Sequence, residues 1–154
     1  MTLQVNVEKT SSDAFRAMLG VERALAHCSI EKSLRELIKL RVSQINGCAY
    51  CIDMHWKDAR AAGETEQRLY GLPAWRESPY YSERERAGLL LAEEFTRVAD
   101  RSVPEEVHDH ARDVFNDQEL GDLAWTISAI NTWNRVNICL KTVPGDYQAA
   151  RVSH

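Results

Sequence analysis

At 154 residues, 44% hydrophobic and 27% charged, the chain has the length and composition of a single soluble domain, expected to span residues 1–154, that can bury a core without staples. Its 23 acidic and 19 basic side chains are interspersed and leave a net charge of −4, with no basic run to track a phosphate backbone, so a nucleic-acid partner is not expected. Apolar runs such as Leu89-Leu90-Leu91-Ala92 are far too short to span a bilayer, and Met1-Thr2-Leu3-Gln4-Val5 lacks a basic stretch followed by an apolar one, so the expectation is a cytoplasmic protein without a membrane partner.

In chain order, Asp13 to His27 carries Phe15, Met18, Leu19, Val21, Leu25 and Ala26 at helical spacing. Ser29 or Ser33 is placed to cap a second helix whose stripe is Leu34, Leu37, Ile38, Val42 and Ile45, and Asn46-Gly47 is a helix stop. A third runs from Cys48 to about Ala62 and closes at Gly63, and a short fourth covers Glu64 to Gly71. The aromatics of Pro73 to Tyr81 predict a packed connector. Ser82-Glu83-Arg84-Glu85 is a capping box that opens a helix to about Ala99, with Ala87, Leu90, Leu91, Phe95 and Val98 on one face. Ser102-Val103-Pro104-Glu105 opens the next, to Phe115. Asn116 to Glu119 starts a long final helix with a stripe of Leu120, Leu123, Ile127, Ile130, Trp133, Val136 and Leu140. No segment alternates as a strand does, so the expected fold is an all-α bundle of about six to seven helices.

Chemistry concentrates in Gly47-Cys48-Ala49-Tyr50-Cys51-Ile52-Asp53-Met54-His55. On a helix Cys48, Cys51 and His55 share one stripe, extended by Ile52, Ala59 and Ala62, so a dithiol and an imidazole meet on a face turned inward. Thiolate chemistry needs such a set: a nucleophilic sulfur, a second sulfur to capture it once oxidised, and a group that moves protons. The position of Cys48 at a helix N-terminus makes it the more acidic thiol on dipole grounds. The same three residues also offer three zinc ligands, but there is no second Cys-x-x-Cys, and His108 and His110 lie on a strongly polar helix. No metal or other cofactor is therefore expected. Cys28 and Cys139 read as inert, buried thiols.

With Glu36 twelve residues upstream, the pattern Glu-x11-Cys-x-x-Cys-x3-His is complete in Glu36, Cys48, Cys51 and His55. It resembles the alkyl hydroperoxidase D-like (AhpD-like) proteins of the carboxymuconolactone decarboxylase superfamily. Leu34-Arg35-Glu36-Leu37-Ile38, Arg41-Val42-Ser43-Gln44-Ile45-Asn46-Gly47 and Asn134-Arg135 carry the likeness further. The resemblance implies an all-helical fold, assembly into trimers or hexamers, and reduction of hydrogen peroxide or organic hydroperoxides with electrons from an external dithiol. It assigns peroxide attack to Cys51, proton removal to a Glu36–His55 relay and disulfide closure to Cys48. A specific base relay outweighs a dipole effect of about 1 kcal/mol, so this order is preferred over the one the dipole favours. The chain departs from the best-known form of the pattern at Tyr50, where that form has a histidine. Glu36 also lies off the apolar stripe of its helix, where Ser33-x-x-Glu36 reads equally as a capping box. Two other functions remain open: a lactone decarboxylase working by acid–base chemistry on a small dicarboxylate, and a redox-sensing module that turns over no substrate.

Overall fold

The computed structural model describes residues 4–150. Among them are eight α-helices and no strand: α1 (Val7–Thr10), α2 (Ser12–Ala26), α3 (Lys32–Asn46), α4 (Ala49–Ala61), α5 (Glu66–Gly71), α6 (Glu83–Thr96), α7 (Glu105–Val114) and α8 (Asp117–Cys139). The all-α expectation holds. The additional element is α1, a single turn capped by the Asn6 side chain on the Lys9 N–H. Among the described residues no helix is long and apolar enough to cross a membrane.

Local signals explain most of the boundaries. Both capping boxes form, Ser82 with Glu85 at the start of α6 and Asn116 with Glu119 at the start of α8. Gly47 adopts a left-handed backbone (φ 72°) that stops α3, and Gly63 (φ 96°) does the same just past α4, a region in which other residues are strained. Three boundaries differ from expectation, one being the start of α7, where Pro104 is the N-cap and the Ser102 side chain does not cap the helix. Helix α3 starts after Glu31 with no side-chain cap, and Ser29 instead donates from its hydroxyl and its N–H to Asp122 at 2.7 and 2.9 Å, tying the preceding loop to α8. Helix α6 ends at Thr96, so Val98 falls beyond it and is exposed rather than on the buried face.

Helix α3 is the axis of the fold and packs against α4, α6 and α8. Leu34, Leu37, Ile38, Leu40 and Val42 are fully buried on it, facing two apolar clusters at once. The first cluster joins α3 to α6, α7 and α8 and includes both Cys48 and Cys51. The second gathers Leu69, Leu72, Trp75 and Tyr81, so the aromatic connector is packed as expected. Because α3 is surrounded, it also buries Arg35, Glu36, Lys39 and Ser43. Each has a partner: Arg35 donates to the Ile30 and Ala26 carbonyls, Lys39 to Glu22, Ser43 to the Lys39 carbonyl, and Glu36 meets His55. Buried polar groups are tolerable on these terms.

Candidate active site

The turn at Gly47 sends the chain from α3 directly into α4, and Cys48 occupies the N-cap between them. Its backbone is extended (φ −83°, ψ 96°), and its sulfur accepts the Cys51 N–H at 3.3 Å. Cys48 therefore caps the helix instead of riding on it, while Cys51 and His55 sit one turn apart on its inward face. The two cysteines are joined in a disulfide, with Cα atoms 5.3 Å apart. Both are nearly inaccessible, as is His55. Ala62, expected on the same face, is exposed where the helix ends.

Glu36 reaches across from α3, and its Oε2 lies 2.9 Å from His55 Nδ1. The capping-box reading of Glu36 thus fails, because α3 begins after Glu31 and the Glu36 carboxylate is paired with His55. Burial pushes the Glu36 carboxyl up. The hydrogen bond and charge of His55, with Lys39 and Lys32 further off, outweigh it and hold the group below its ordinary range. This carboxylate fixes the ring: when the imidazole is neutral, Nδ1 carries the proton donated to Glu36, and Nε2 is left as the basic nitrogen.

These groups form one wall of a cavity of 390 Å³, shared by Glu36, Cys51, His55 and Asp58 and closed by apolar side chains that include Phe15 and Trp133. Phe15 and Trp133 meet edge-on with ring centroids 5.7 Å apart, which ties α2 to α8 over the site. Cys48 lies outside that cavity and borders a separate crevice of 190 Å³ with Gly47, Ala49 and Thr142. Lys39 lines the cavity, but its charge is matched by Glu22 at 2.7 Å.

Three residues of the site went unread in the sequence. Asp58, one turn past His55 on α4, accepts a hydrogen bond from Tyr147 Oη at 2.7 Å. Burial, reinforced by the nearby negative charge of Glu36, raises its carboxyl above the ordinary value. Tyr147 is in turn raised by burial and by Asp58. Asn137, on the last turns of α8, donates to Cys51 Sγ at 3.7 Å. Its signal was available: Asn137 stands seven residues after Ile130 and four after Trp133, beside Val136 on the inward side of the helix, and a polar residue there has to meet something buried. Tyr147 had no such signal, since it follows the last helix.

Glu36, His55 and Asp58 bring ligand atoms within 4.8 Å of one another, the only such donor set found among the described residues. The Cys48–Cys51–His55 set weighed from sequence offers no free thiolate while the disulfide stands. Of the remaining thiols, Cys28 is half-buried beside Arg35, and Cys139 is exposed, not buried as expected. His108 and His110 are half-buried, against Phe95 and Glu83.

Residues 12–94 match the model of the carboxymuconolactone decarboxylase family. The chain belongs to that family. Within it the chain is AhpD-like, as its structural neighbours are. The protein YdfG of Bacillus subtilis (strain 168), itself uncharacterized, is 42% identical over 140 residues, 91% of this chain and 95% of that one. A crystal structure of a protein of unknown function from Agrobacterium tumefaciens, described in connection with the antioxidant defence protein AhpD, superposes with a TM-score of 0.90 at 37% identity, covering 95% of this chain and all of that one. A peroxidase-related protein from Silicibacter sp. TM1040, also uncharacterized, gives a TM-score of 0.79 at 27% identity over 95% of this chain and 75% of that one. The segment that the family model matches contains Glu36, Cys48, Cys51, His55 and Asp58. Asn137 and Tyr147 lie outside it, brought to the AhpD-like site by α8 and the tail that follows.

Proposed function

We propose that the protein is a thiol-dependent peroxidase that reduces hydrogen peroxide or organic hydroperoxides. Cys51 loses its proton to His55, which Glu36 orients and stabilises as it becomes charged. The Cys51 thiolate attacks one peroxide oxygen, the O–O bond breaks, and the departing alkoxide or hydroxide takes the proton back from His55. Cys51 is then a sulfenic acid. The Cys48 thiol attacks that sulfur, water leaves, and the Cys48–Cys51 disulfide forms. An external dithiol reduces it and is itself oxidised to a disulfide, which restores both thiols. Action as a homo-oligomer, a trimer or hexamer, in the cytoplasm belongs to the same reading.

The observation that carries it is that Cys51, and not Cys48, shares the cavity with the Glu36–His55 pair, while both sulfurs lie within bonding distance. This supports the order of roles over the one the helix dipole alone favours. The competing acid–base decarboxylase reading has the Glu36–His55 pair in its favour, but a small dicarboxylate calls for a free cation, and Lys39 in this cavity is already matched by Glu22.

Steady-state peroxide consumption with a dithiol donor tests the proposal, comparing wild type with Cys48→Ser and Cys51→Ser. Both substitutions should abolish dithiol-dependent turnover, and Cys48→Ser should accumulate sulfenic acid on Cys51. Undiminished turnover in both would sink the reading, and lactone decarboxylation that survives alkylation of every thiol would restore the decarboxylase.

A further inference from the structure

A buried thiol ionises reluctantly, because the charged form loses water and needs a replacement donor. Cys51 is 2% exposed, sits in a mainly apolar pocket, and is preceded by Tyr50, which brings no cation. His55 explains where its proton goes and, once charged, favours the thiolate from a distance, but the side-chain donor in hydrogen-bond contact with the Cys51 sulfur is Asn137. The two sulfurs are served differently. Cys48 Sγ accepts the Cys51 N–H at the start of α4, whereas Cys51 Sγ faces the Asn137 side chain.

The orientation of that amide is fixed by its surroundings. Asn137 Nδ2 donates to the Trp133 carbonyl at 2.9 Å, and a carbonyl only accepts, so the nitrogen and not the oxygen is on that side. The same nitrogen has a second hydrogen, and the Cys51 sulfur at 3.7 Å is its acceptor. The donor is thus aimed before any charge forms, which is the condition under which a hydrogen bond lowers a barrier instead of merely following it.

Resting on the peroxidase reading above, we propose that Asn137 is a further catalytic residue, whose side-chain N–H stabilises the Cys51 thiolate. It acts on both halves of the cycle. In oxidation it raises the fraction of Cys51 present as thiolate. In reduction an external thiolate attacks Cys48, the S–S bond breaks, and Cys51 departs with the electron pair, held by Asn137. The second thiol of the reductant then displaces Cys48 from the mixed disulfide and closes the reductant's own disulfide. A stabilised thiolate is the better leaving group, so the donor directs the reductant to Cys48. Cys48 also borders its own crevice, which shares Tyr50 and Asn137 as lining residues with the cavity.

The test is a titration of Cys51 by ultraviolet thiolate absorbance in a background of Cys28→Ser, Cys48→Ser and Cys139→Ser, which leaves Cys51 the one thiol, with Asn137 intact and replaced by Leu, Ser or Asp. A hydrogen bond to a charged group is among the stronger ones but sulfur accepts weakly, so Asn137→Leu should move the midpoint up by about one pH unit, a tenfold loss of thiolate. Asn137→Asp should move it further, since a carboxylate cannot donate and adds like charge. Asn137→Ser, which keeps a donor, should fall between Leu and wild type and serves if Leu does not fold. Midpoints unchanged in folded Leu and Ser variants would overturn the proposal. No peroxide enters this titration, so a normal Asn137 effect in a protein that consumes no peroxide would defeat the peroxidase reading alone.

Discussion

Glu36 and Asp58 are two carboxylates on neighbouring helices at one wall of a cavity, and their surroundings push them in opposite directions. Glu36 is held below 4.5 by His55 despite burial, so its folded form binds a proton less readily than its unfolded form. The stability it contributes is present above 4.5 and is lost as pH falls through its lower folded value. Glu36→Gln, which keeps an acceptor for His55 but loses the charge, should therefore cost about 1 kcal/mol near neutral pH, the difference between a hydrogen bond to a charged group and one to a neutral group, with the deficit shrinking in acid. Urea midpoints at the two pH values check this, and a constant gap would contradict it. Asp58 is raised, so its carboxylate form weighs against folding once pH exceeds the unfolded value of 3.8. Asp58→Asn, which can still accept from Tyr147, should raise the urea midpoint at neutral pH and lose that advantage in acid. The opposite signs of two substitutions at one wall separate environment from mere proximity.

At the scale of elements, the readable features are those settled within a few residues. The Ser82 and Asn116 boxes and the Gly47 and Gly63 stops are decided by hydrogen bonds and backbone angles of their own segment. Helix α3 was only half legible for the opposite reason. Glu36 lies off the apolar stripe, and it is buried, with Arg35 and Lys39 beside it, because α2 and α4 supply Ala26, Glu22 and His55. Partners that distant in sequence leave no local signature, and the same holds for Asp58 with Tyr147. Gly88 shows the limit from the packing side. Nothing around it marks a turn, yet α6 rests there on α3, and a Cβ would stand 3.1 Å from Leu34 Cδ1 and 3.4 Å from Ile38 Cδ1. Both neighbours are fully buried and have little room to move. Gly88→Val should therefore destabilise by about 1–3 kcal/mol through overpacking, read as a lower urea midpoint with helical content retained below the transition. An unchanged midpoint would mean that α6 shifts freely on α3.

For the molecule as a whole, a dithiol cycle is useful only if both redox states keep the fold. The bridge spans three positions, Cys48 to Cys51, so it closes a very short loop and restrains the unfolded chain little. On chain entropy alone it is worth about 2 kcal/mol, against roughly 3 kcal/mol for a fifteen-residue loop. What holds the site in place is independent of the bridge. Leu34, Ile38, Leu91 and Ile127 pack around it, Glu36 and His55 join α3 to α4, and Asn46 and Ser43 of α3 are hydrogen-bonded to Asn134 of α8. The tail after α8 is fastened to α4 as well, by Lys57 to the Gly145 and Tyr147 carbonyls and by Tyr147 to Asp58. Reduction should accordingly lower the melting temperature by only about 4–8 °C, given 2–4 °C per kcal/mol for a chain of this size, and leave a single cooperative transition. Circular dichroism melts of the oxidised and fully reduced protein make the comparison. Loss of helical signal on reduction at room temperature would show that the disulfide, and not the α3-centred packing, maintains the site. A drop of the predicted size means that the helical packing around Cys51, His55 and Asn137 survives reduction without the bridge.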